Sequence, residues 1–345
     1  MPFVMLPRSD AGASMYQSLV FEGQFSVQNK SFEIEVSRFS PDSPAFSPDP
    51  VLPEPLQQHP FYLSALQTFS AKVKSVRVHR GDQALLECFM LERKFFGAVT
   101  LSMGFRGPRF SPALSHRDTI DALRFLKQQF SPWRRQFLQL MPELPDEREN
   151  RTLMKRAGFT RIMTGASTIW IDLSLSETEM RGRLAGNWRN QLKKAEQSGM
   201  SIAVGGAKPK HYNWLLEKET QQRQFRGYSA VPLGLVPAYR DTTVNADQSP
   251  PILSVTAHEG GTQIAGALFL LHGNSATYHI GWSGDRGRAL NAQNNVLFTA
   301  MLALKKRDIK WLDMGGVDTG PQAAIARFKL GIGHPPETFI GTYIG

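Results

Sequence analysis

Two kinds of apolar spacing alternate along the chain. The runs ALLECFMLER and FFGAVTLSMGF, within residues 84–105, read as consecutive strands. The segment RDTIDALRFLKQQF (117–130) places apolar residues three and four apart and reads as a helix. A strand at 134–144, a short helix at 150–159 and a strand pair at 160–173 complete the series. The same order then returns. Strands are expected at 251–259, 264–273 and 275–284, a helix at 291–308, a strand at 309–316, a short helix at 322–333 and a last strand at 337–345. Corresponding points, Gly107 with Gly284 and Gly158 with Gly331, lie about 175 residues apart. One order of elements at one offset argues for a duplicated unit, although the copies share little residue identity.

Each copy is a mixed α/β unit, antiparallel strands first and then strand-helix-strand-helix-strand. That order suits an acyltransferase fold of the GNAT type, in which two neighbouring strands splay and an acyl donor lies between them. The expectation is therefore two tandem GNAT-like domains, mixed sheets flanked by helices, at residues 1–175 and 176–345. Two stretches break the pattern. Residues 41–60 hold seven prolines and read as an extended surface connection. Residues 240–251, RDTTVNADQSPP, read as a mobile loop.

Composition adds bounds. Of 345 residues, 41% are hydrophobic and 20% charged, ordinary for a folded protein. No apolar run approaches the roughly 20 residues of a membrane span. The first residues lack the basic head and long apolar centre of a secretory signal. The single cysteine, Cys88, lies in a strand-like apolar run and reads as core; with no internal disulfide possible, a cytoplasmic location is expected. The formal net charge of +10 suits a polyanionic partner such as nucleic acid, a nucleotide-sugar or an anionic membrane surface, and equally a merely basic protein.

The cations cluster. In EMRGRLAGNWRNQLKKAEQSGM, Leu184, Trp188, Leu192 and Ala195 form one apolar stripe at helical spacing, with Gly199 as a C-terminal stop. Arg181, Arg183, Arg189, Lys193 and Lys194 fall largely off it, a face suited to phosphates or simply to solvent. In EKETQQRQFRGYS, Thr220 and Arg223 are helix neighbours. Arg223 could grip a phosphate or carboxylate, with Tyr228 against a ring, or form an ordinary surface ion pair. YHIGWSG, with Tyr278 and Trp282, and WLDMGG, with Asp313, Gly315 and Gly316, read as the central strands of the second unit. The two glycines let a ligand or backbone approach, or serve the strand-to-helix turn. Near the end, ARFKLGIG places Phe328 and Lys329 on a short helix before Gly331 and Gly333.

Other chemistries find little support. CoA enzymes of this fold use a Gln/Arg-x-x-Gly-x-Gly/Ala turn for the pyrophosphate. SGDRGRALNAQN (283–294) does not keep that spacing, although Arg286 and Arg288 could still meet phosphates. His258, His272, His279 and His334 show no metal-ligand spacing, so no metal is expected. No nucleophile elbow, Walker loop or dinucleotide fingerprint occurs.

The second half, from NWRNQLKKAEQSGM through ETQQRQF, ATYHIGWSG, WLDMGGV and ARFKLGIGHPPETFIGTYIG, resembles the FemAB (FemX-like) peptidyltransferases. Phe-Lys followed by Gly-x-Gly and a strand is the most specific part. FRGPRF (105–110) is a weaker match in the first half. The resemblance implies transfer of an aminoacyl group from aminoacyl-tRNA to an amine, on a peptidoglycan precursor or a small natural-product or peptide amine. It implies no cofactor beyond that co-substrate. Lys329 matches the lysine placed at the acyl-transfer centre, and Arg223 and Thr220 match positions near the acceptor phosphates. The competing expectations are an acyl-CoA-dependent N-acyltransferase on a sugar, lipid or small-molecule amine, and a non-catalytic RNA-binding protein.

Overall fold

The computed structural model of the chain describes residues 18–21, 24–28, 32–40, 51–112, 114–226, 231–244, 251–317 and 323–345. Its first half carries β1 (Ser18–Phe21), β2 (Gln24–Gln28), β3 (Glu33–Arg38), α1 (Pro60–Gln67), β4 (Lys72–Arg80), β5 (Gln83–Phe95), β6 (Val99–Phe105) and β7 (Arg109–Phe110). Then come α2 (His116–Gln128), β8 (Gln136–Met141), α3 (Arg148–Arg156) and β9 (Thr160–Met163). Strands β3 to β6 pair antiparallel, whereas β6 and β8 pair parallel because α2 carries the chain back between them. Ser115 caps α2 by accepting from the Asp118 amide at 3.1 Å, and the helix buries Ala122, Leu123, Phe125 and Leu126 on the sheet. Cys88 lies in that core.

The second half repeats the plan. It contains β10 (Ser167–Thr168), β11 (Trp170–Asp172), α4 (Glu177–Arg183), α5 (Gly186–Glu196), β12 (Ser201–Gly205), α6 (Asn213–Arg226) and α7 (Leu235–Val244). Next are β13 (Ile252–Glu259), β14 (Thr262–His272), β15 (Ser275–Ser283), α8 (Asp285–Ala289), α9 (Ala292–Lys305), β16 (Trp311–Asp313), α10 (Ala323–Leu330), β17 (Glu337–Thr338) and β18 (Thr342–Ile344). As in the first half, three antiparallel strands (β13, β14, β15) lead through a helix, α9, to a parallel neighbour, β16. The sheet is covered on both faces, by α5 and α9 on one and by α1, α6 and α7 on the other. That double burial explains why β13 and β14 read as continuous apolar runs rather than alternating ones.

The two halves exchange their closing strands. In the first sheet the place beside β8 is taken by β18, from the end of the chain, with Tyr343 opposite Leu140. In the second sheet the place beside β16 is taken by β11, with Trp170 opposite Asp313. The crossing segments pair with each other as β10 and β17, and the Ser167 and Thr338 hydroxyls lie 2.7 Å apart. Ile169, Ile171 and Leu173 thus sit in the core of the second half, and Ile340 and Tyr343 in that of the first. The division expected at 175/176 divides the chain and not the sheets. The strand pair expected at 160–173 is three short strands in three sheets.

The proline-rich stretch departs from expectation over its last part; residues 41–50 lie outside the described residues. Glu54, Leu56, Gln58 and His59 are buried rather than on the surface. The segment straps the halves together. The Leu52 carbonyl accepts from Asn274 Nδ2 at 2.8 Å, and the Glu54 amide donates to Ser275 Oγ at 3.0 Å. Gln58 serves the first half. Its Nε2 donates to the carbonyls of Phe89 (3.1 Å) and Phe105 (2.8 Å), and its Oε1 accepts from the Phe89 amide (2.9 Å). Proline supplied the extended backbone, and the polar side chains satisfied strand-end groups that two sheets left without partners. In the second irregular stretch, Arg240–Val244 belong to α7 and residues 245–250 lie outside the described ones.

Gln58→Ala removes all three bonds at a site closed to water. It is expected to lower unfolding stability by about 2–4 kcal/mol, read as the shift in a urea denaturation midpoint.

Candidate functional site

Strands β6 and β8 stay paired from Thr100 and Gln136 to Phe105 and Met141. Their counterparts part early. Strand β15 pairs with β16 only from Ser275 to Thr277, against Trp311 to Asp313, and runs on to Ser283. Among the described residues no strand joins that edge beyond Thr277. The open side of β15, with Asp313 at its root, is the splay that the sequence led us to expect.

Asp313 is fully buried. Its Oδ1 accepts from Thr168 Oγ1 at 2.6 Å and from the Gly315 amide at 2.8 Å, and its Oδ2 accepts from Arg106 Nη1. The carboxylate thereby ties a turn of the second half to an exchanged strand and to the first half. That turn presents the Gly316 carbonyl to Lys329, whose Nζ donates to it at 2.8 Å. Lys329 is 8% exposed. Burial draws its pKa down, and the Asp313 carboxylate works against that by favouring the ammonium.

Local packing explains why a lysine faces inward here. Helix α10 buries Ala326 and Lys329 on one side. The Phe328 ring packs against Trp188 of α5 at 5.9 Å between centroids, and Trp188 Nε1 donates to the Phe328 carbonyl at 3.1 Å. The indole needs room beneath it: a Cβ on Gly331 would come within 2.6 Å of Trp188 Cδ1. Gly333 has φ +84° and lies so close to the Arg183 carbonyl that a side chain would collide with it. Phe-Lys-x-Gly-x-Gly is thus the local signature of this seat.

Arg106 reaches the site from the end of β6. Its guanidinium lies between the rings of Trp170 (5.2 Å) and Phe339 (5.7 Å), one from each exchanged segment. It pairs with Glu143 as well as Asp313, while its Nη2 is buried without a hydrogen-bond partner. Burial opposes its charge, but the two carboxylates outweigh burial and hold its pKa above the ordinary value. Burial pushes the Glu143 carboxyl up to about 7 against the pull of Arg106, with Asp313 and Glu337 adding repulsion. Glu337 is also raised, first by burial. The sequence reading missed Arg106, Glu143, Thr168 and Trp170. The Arg-Gly-Pro strand end was the available signal for the first.

The remaining candidates spread around this centre. Tyr278 packs on the α9 face and its Oη accepts from Gln293 Nε2 at 3.1 Å; burial raises it to about 12. Trp282 faces the other side, edge-on to Trp214 at 5.9 Å and with the Lys218 ammonium 5.4 Å from its ring. Between them His279 is the extra residue of a bulge, since Phe269 pairs with Tyr278 and Leu268 with Ile280. Burial lowers its pKa to about 4. On α6, Thr220 is exposed and donates to the Leu216 carbonyl at 2.8 Å. Arg223 is engaged by Glu219 Oε1 (2.8 Å) and the Val231 carbonyl (2.7 Å). Tyr228 lies outside the described residues. Phe328, Lys329, Asp313, Gly315 and Gly316 form one group; Thr220, Arg223 and Trp282 belong to the opposite face.

The basic segment is two helices, broken where Leu184 and Ala185 take extended backbone angles. Leu184, Trp188, Leu192 and Ala195 are buried as expected. Arg181 pairs with Glu177 (3.1 Å) and Glu196 (2.7 Å) over the Phe298 ring. Arg189 donates to the carbonyls of Gly182 (2.8 Å) and Leu184 (2.9 Å), so it holds the junction together. Arg183, Lys193 and Lys194 are exposed and make no ion pair among the described residues. At the strand-to-helix turn after β15, Arg286 is paired with Glu259 at 2.6 Å and Arg288 with Asp285.

Comparisons place this geometry among known proteins. The FemAB family model matches residues 253–344, the segment from β13 to β18 that carries Asp313 and Lys329. The crystal structure of FemX superimposes with a TM-score of 0.67 at 13% identity, over 84% of this chain and 93% of that one. A tandem GNAT protein from the clavulanic acid biosynthesis pathway gives 0.51 at 10% identity, over 90% and 98%. A conserved protein of unknown function from Bacteroides thetaiotaomicron gives 0.52 at 12%, over 82% and 88%. At these identities the likeness to solved structures is one of fold. No curated protein sequence matches the chain.

Glu143→Gln isolates the titration at this centre. A carboxyl whose native pKa stands above its unfolded value favours folding while protonated, and that contribution disappears as pH climbs through the window from about 4.5 to about 7. Wild type is expected to lose on the order of 2 kcal/mol relative to the variant between pH 4.5 and 7.5, measured by urea denaturation at both.

Proposed function

We propose that this FemAB/FemX-like chain is an aminoacyltransferase that moves an aminoacyl group from aminoacyl-tRNA to an amine acceptor, a peptidoglycan precursor or a small peptide-like amine. The observation that carries the reading is the seat of Lys329, a nearly buried ammonium at the root of two parting strands.

The ester of an aminoacyl-tRNA is already activated, so no covalent enzyme intermediate is needed. The amine attacks the ester carbonyl, a C–N bond forms, and negative charge collects on the carbonyl oxygen. A fixed cation in a dry site stabilises that charge more than water does, because its orientation is set before the reaction. Among the described residues Lys329 donates only to the Gly316 carbonyl, and Asp313 favours its charged state. Collapse of the intermediate breaks the C–O bond to the tRNA ribose and leaves an amide. The amine's proton passes to substrate or water. Lys193 and Lys194, on an exposed helix end beside the Trp188 seat, are suited to the tRNA phosphates.

The rival reading is an acyl-CoA donor on the same fold. Arg286 and Arg288, the cations placed to meet a pyrophosphate, are already paired with carboxylates, which favours tRNA. Ribonuclease treatment of the donor separates the two, since it stops only the tRNA-dependent reaction.

Lys329→Ala is expected to lower kcat by about 10²–10³ with the folded state retained, measured by mass spectrometry of the amide formed from charged tRNA and candidate amines. Near-normal turnover by the folded variant removes Lys329 from the mechanism. Lys193→Glu with Lys194→Glu is expected to weaken tRNA binding and to flatten its log–log salt slope by roughly 1–2. An unchanged slope returns that helix end to solvent.

A further inference from the structure

The end of the first sheet farthest from Arg106 carries a surface that the transfer reaction does not use. At the turn between β5 and β6, Phe96 is wholly exposed, at 101% of its reference area, and Phe95 is 42% exposed. On the turn entering β8, Trp133 is 97% exposed. The two turns are neighbours. Lys94 pairs with Thr100 across the hairpin, Thr100 pairs with Gln136 in β8, and the Thr100 amide donates to the Arg135 carbonyl at 2.8 Å. Strands lie about 5 Å apart, so hairpin tip and Trp133 turn share one end of the sheet.

Charge surrounds these aromatics, and it is of one sign. Arg93, Lys94, Arg134 and Arg135 are all exposed and make no ion pair among the described residues. Neither 93–101 nor 129–136 contains an acidic residue. Leaving a Phe and a Trp bare costs solvation free energy, which an unused surface would avoid by carrying polar residues. Aromatic rings on turns, ringed by Lys and Arg, match the two components of a bilayer interface: an apolar layer beneath anionic headgroups.

We propose that this end of the first sheet docks on an anionic membrane surface, with Phe96 and Trp133 entering the headgroup layer and the four cations meeting lipid phosphates. A lipid layer is favoured over single-stranded RNA because both rings are bare on every side, whereas stacked bases need a groove that tracks their backbone. No helix among the described residues is long and apolar enough to cross a membrane, so the contact is peripheral. Strand β6 separates the patch from Arg106 by about 20 Å, which leaves the parting strands uncovered. The proposal stands apart from the transfer chemistry.

The test is co-sedimentation of the full chain with vesicles of equal phosphatidylglycerol and phosphatidylcholine, and with phosphatidylcholine alone. Binding is expected to be at least tenfold tighter to the anionic vesicles and to weaken as salt rises, since each cation at such a surface contributes about fivefold. Phe96→Ser with Trp133→Ser is expected to lose at least tenfold in affinity with an unchanged melting curve. Trp133→Phe keeps the apolar bulk; it should still bind while losing the part of the tryptophan emission that brominated lipid quenches in wild type. Absence of vesicle binding, or binding that the double serine variant retains, overturns the proposal. So does total tRNA that displaces the protein from vesicles and binds the double variant more weakly, which would make the surface an RNA site.

Discussion

The buried contact between Arg106 and Asp313 joins everything that defines this molecule. One residue directly follows a strand of the first half, the other ends a strand of the second. Taking two charges out of water is costly, and their attraction recovers that cost only where every remaining lone pair and proton finds a partner. Asp313 meets the condition with Thr168 and the Gly315 amide. Arg106 nearly does, through Glu143 and two flanking rings, with Nη2 left over. Geometry is the return on such an arrangement. The Asp313 carboxylate holds the Gly315–Gly316 turn through the Gly315 amide, and that turn holds the lysine bonded to the Gly316 carbonyl.

Strand exchange makes that constraint common to both halves. Trp170 and Phe339, which flank Arg106, sit on the segments that cross from one half to the other. Separating the halves would pull Ile340 and Tyr343 from one core and Ile169 and Ile171 from the other. The buried strap at Glu54–His59 adds polar bonds along the same seam, one of them to the carbonyl of Phe105, next to Arg106. A centre built on the second half therefore depends on the first for its rigidity. This is a physical reason for a duplicated unit to keep a copy whose own parallel strands never part.

Much of this was legible from residues alone, and the exceptions follow a rule. The strand-helix order, the repeat, the apolar stripe from Leu184 to Ala195 and the buried Cys88 are consequences of local periodicity. Lys329 stood out because Phe-Lys before Gly-x-Gly is the most specific part of the resemblance. Phe328, Asp313, Gly315 and Gly316 were found beside it. Arg106 and Glu143 escaped notice because a charged residue at a strand end looks the same whether it faces water or an oppositely charged partner 207 positions away. The same blindness explains the proline-rich segment, where local composition reported the extended backbone but not what lay over it. Arg189 looked like a free cation because its partners, carbonyls across a helix break, come into range only after folding. So does the second partner of Arg181, Glu196, 15 residues on; its first, Glu177, is a helix neighbour that lies before the segment read as basic.

The chain's own order of residues determined the elements, their repetition and the Phe-Lys, Gly-x-Gly motif that marks one lysine, since each depends on neighbours within a few residues. Tertiary structure alone decided which strand closes which sheet, which cations are already neutralised, and where a buried carboxylate meets an arginine. Those outcomes depend on contacts between distant segments, whose energies are comparable for many pairings until the cores are packed. Only packing selects among them.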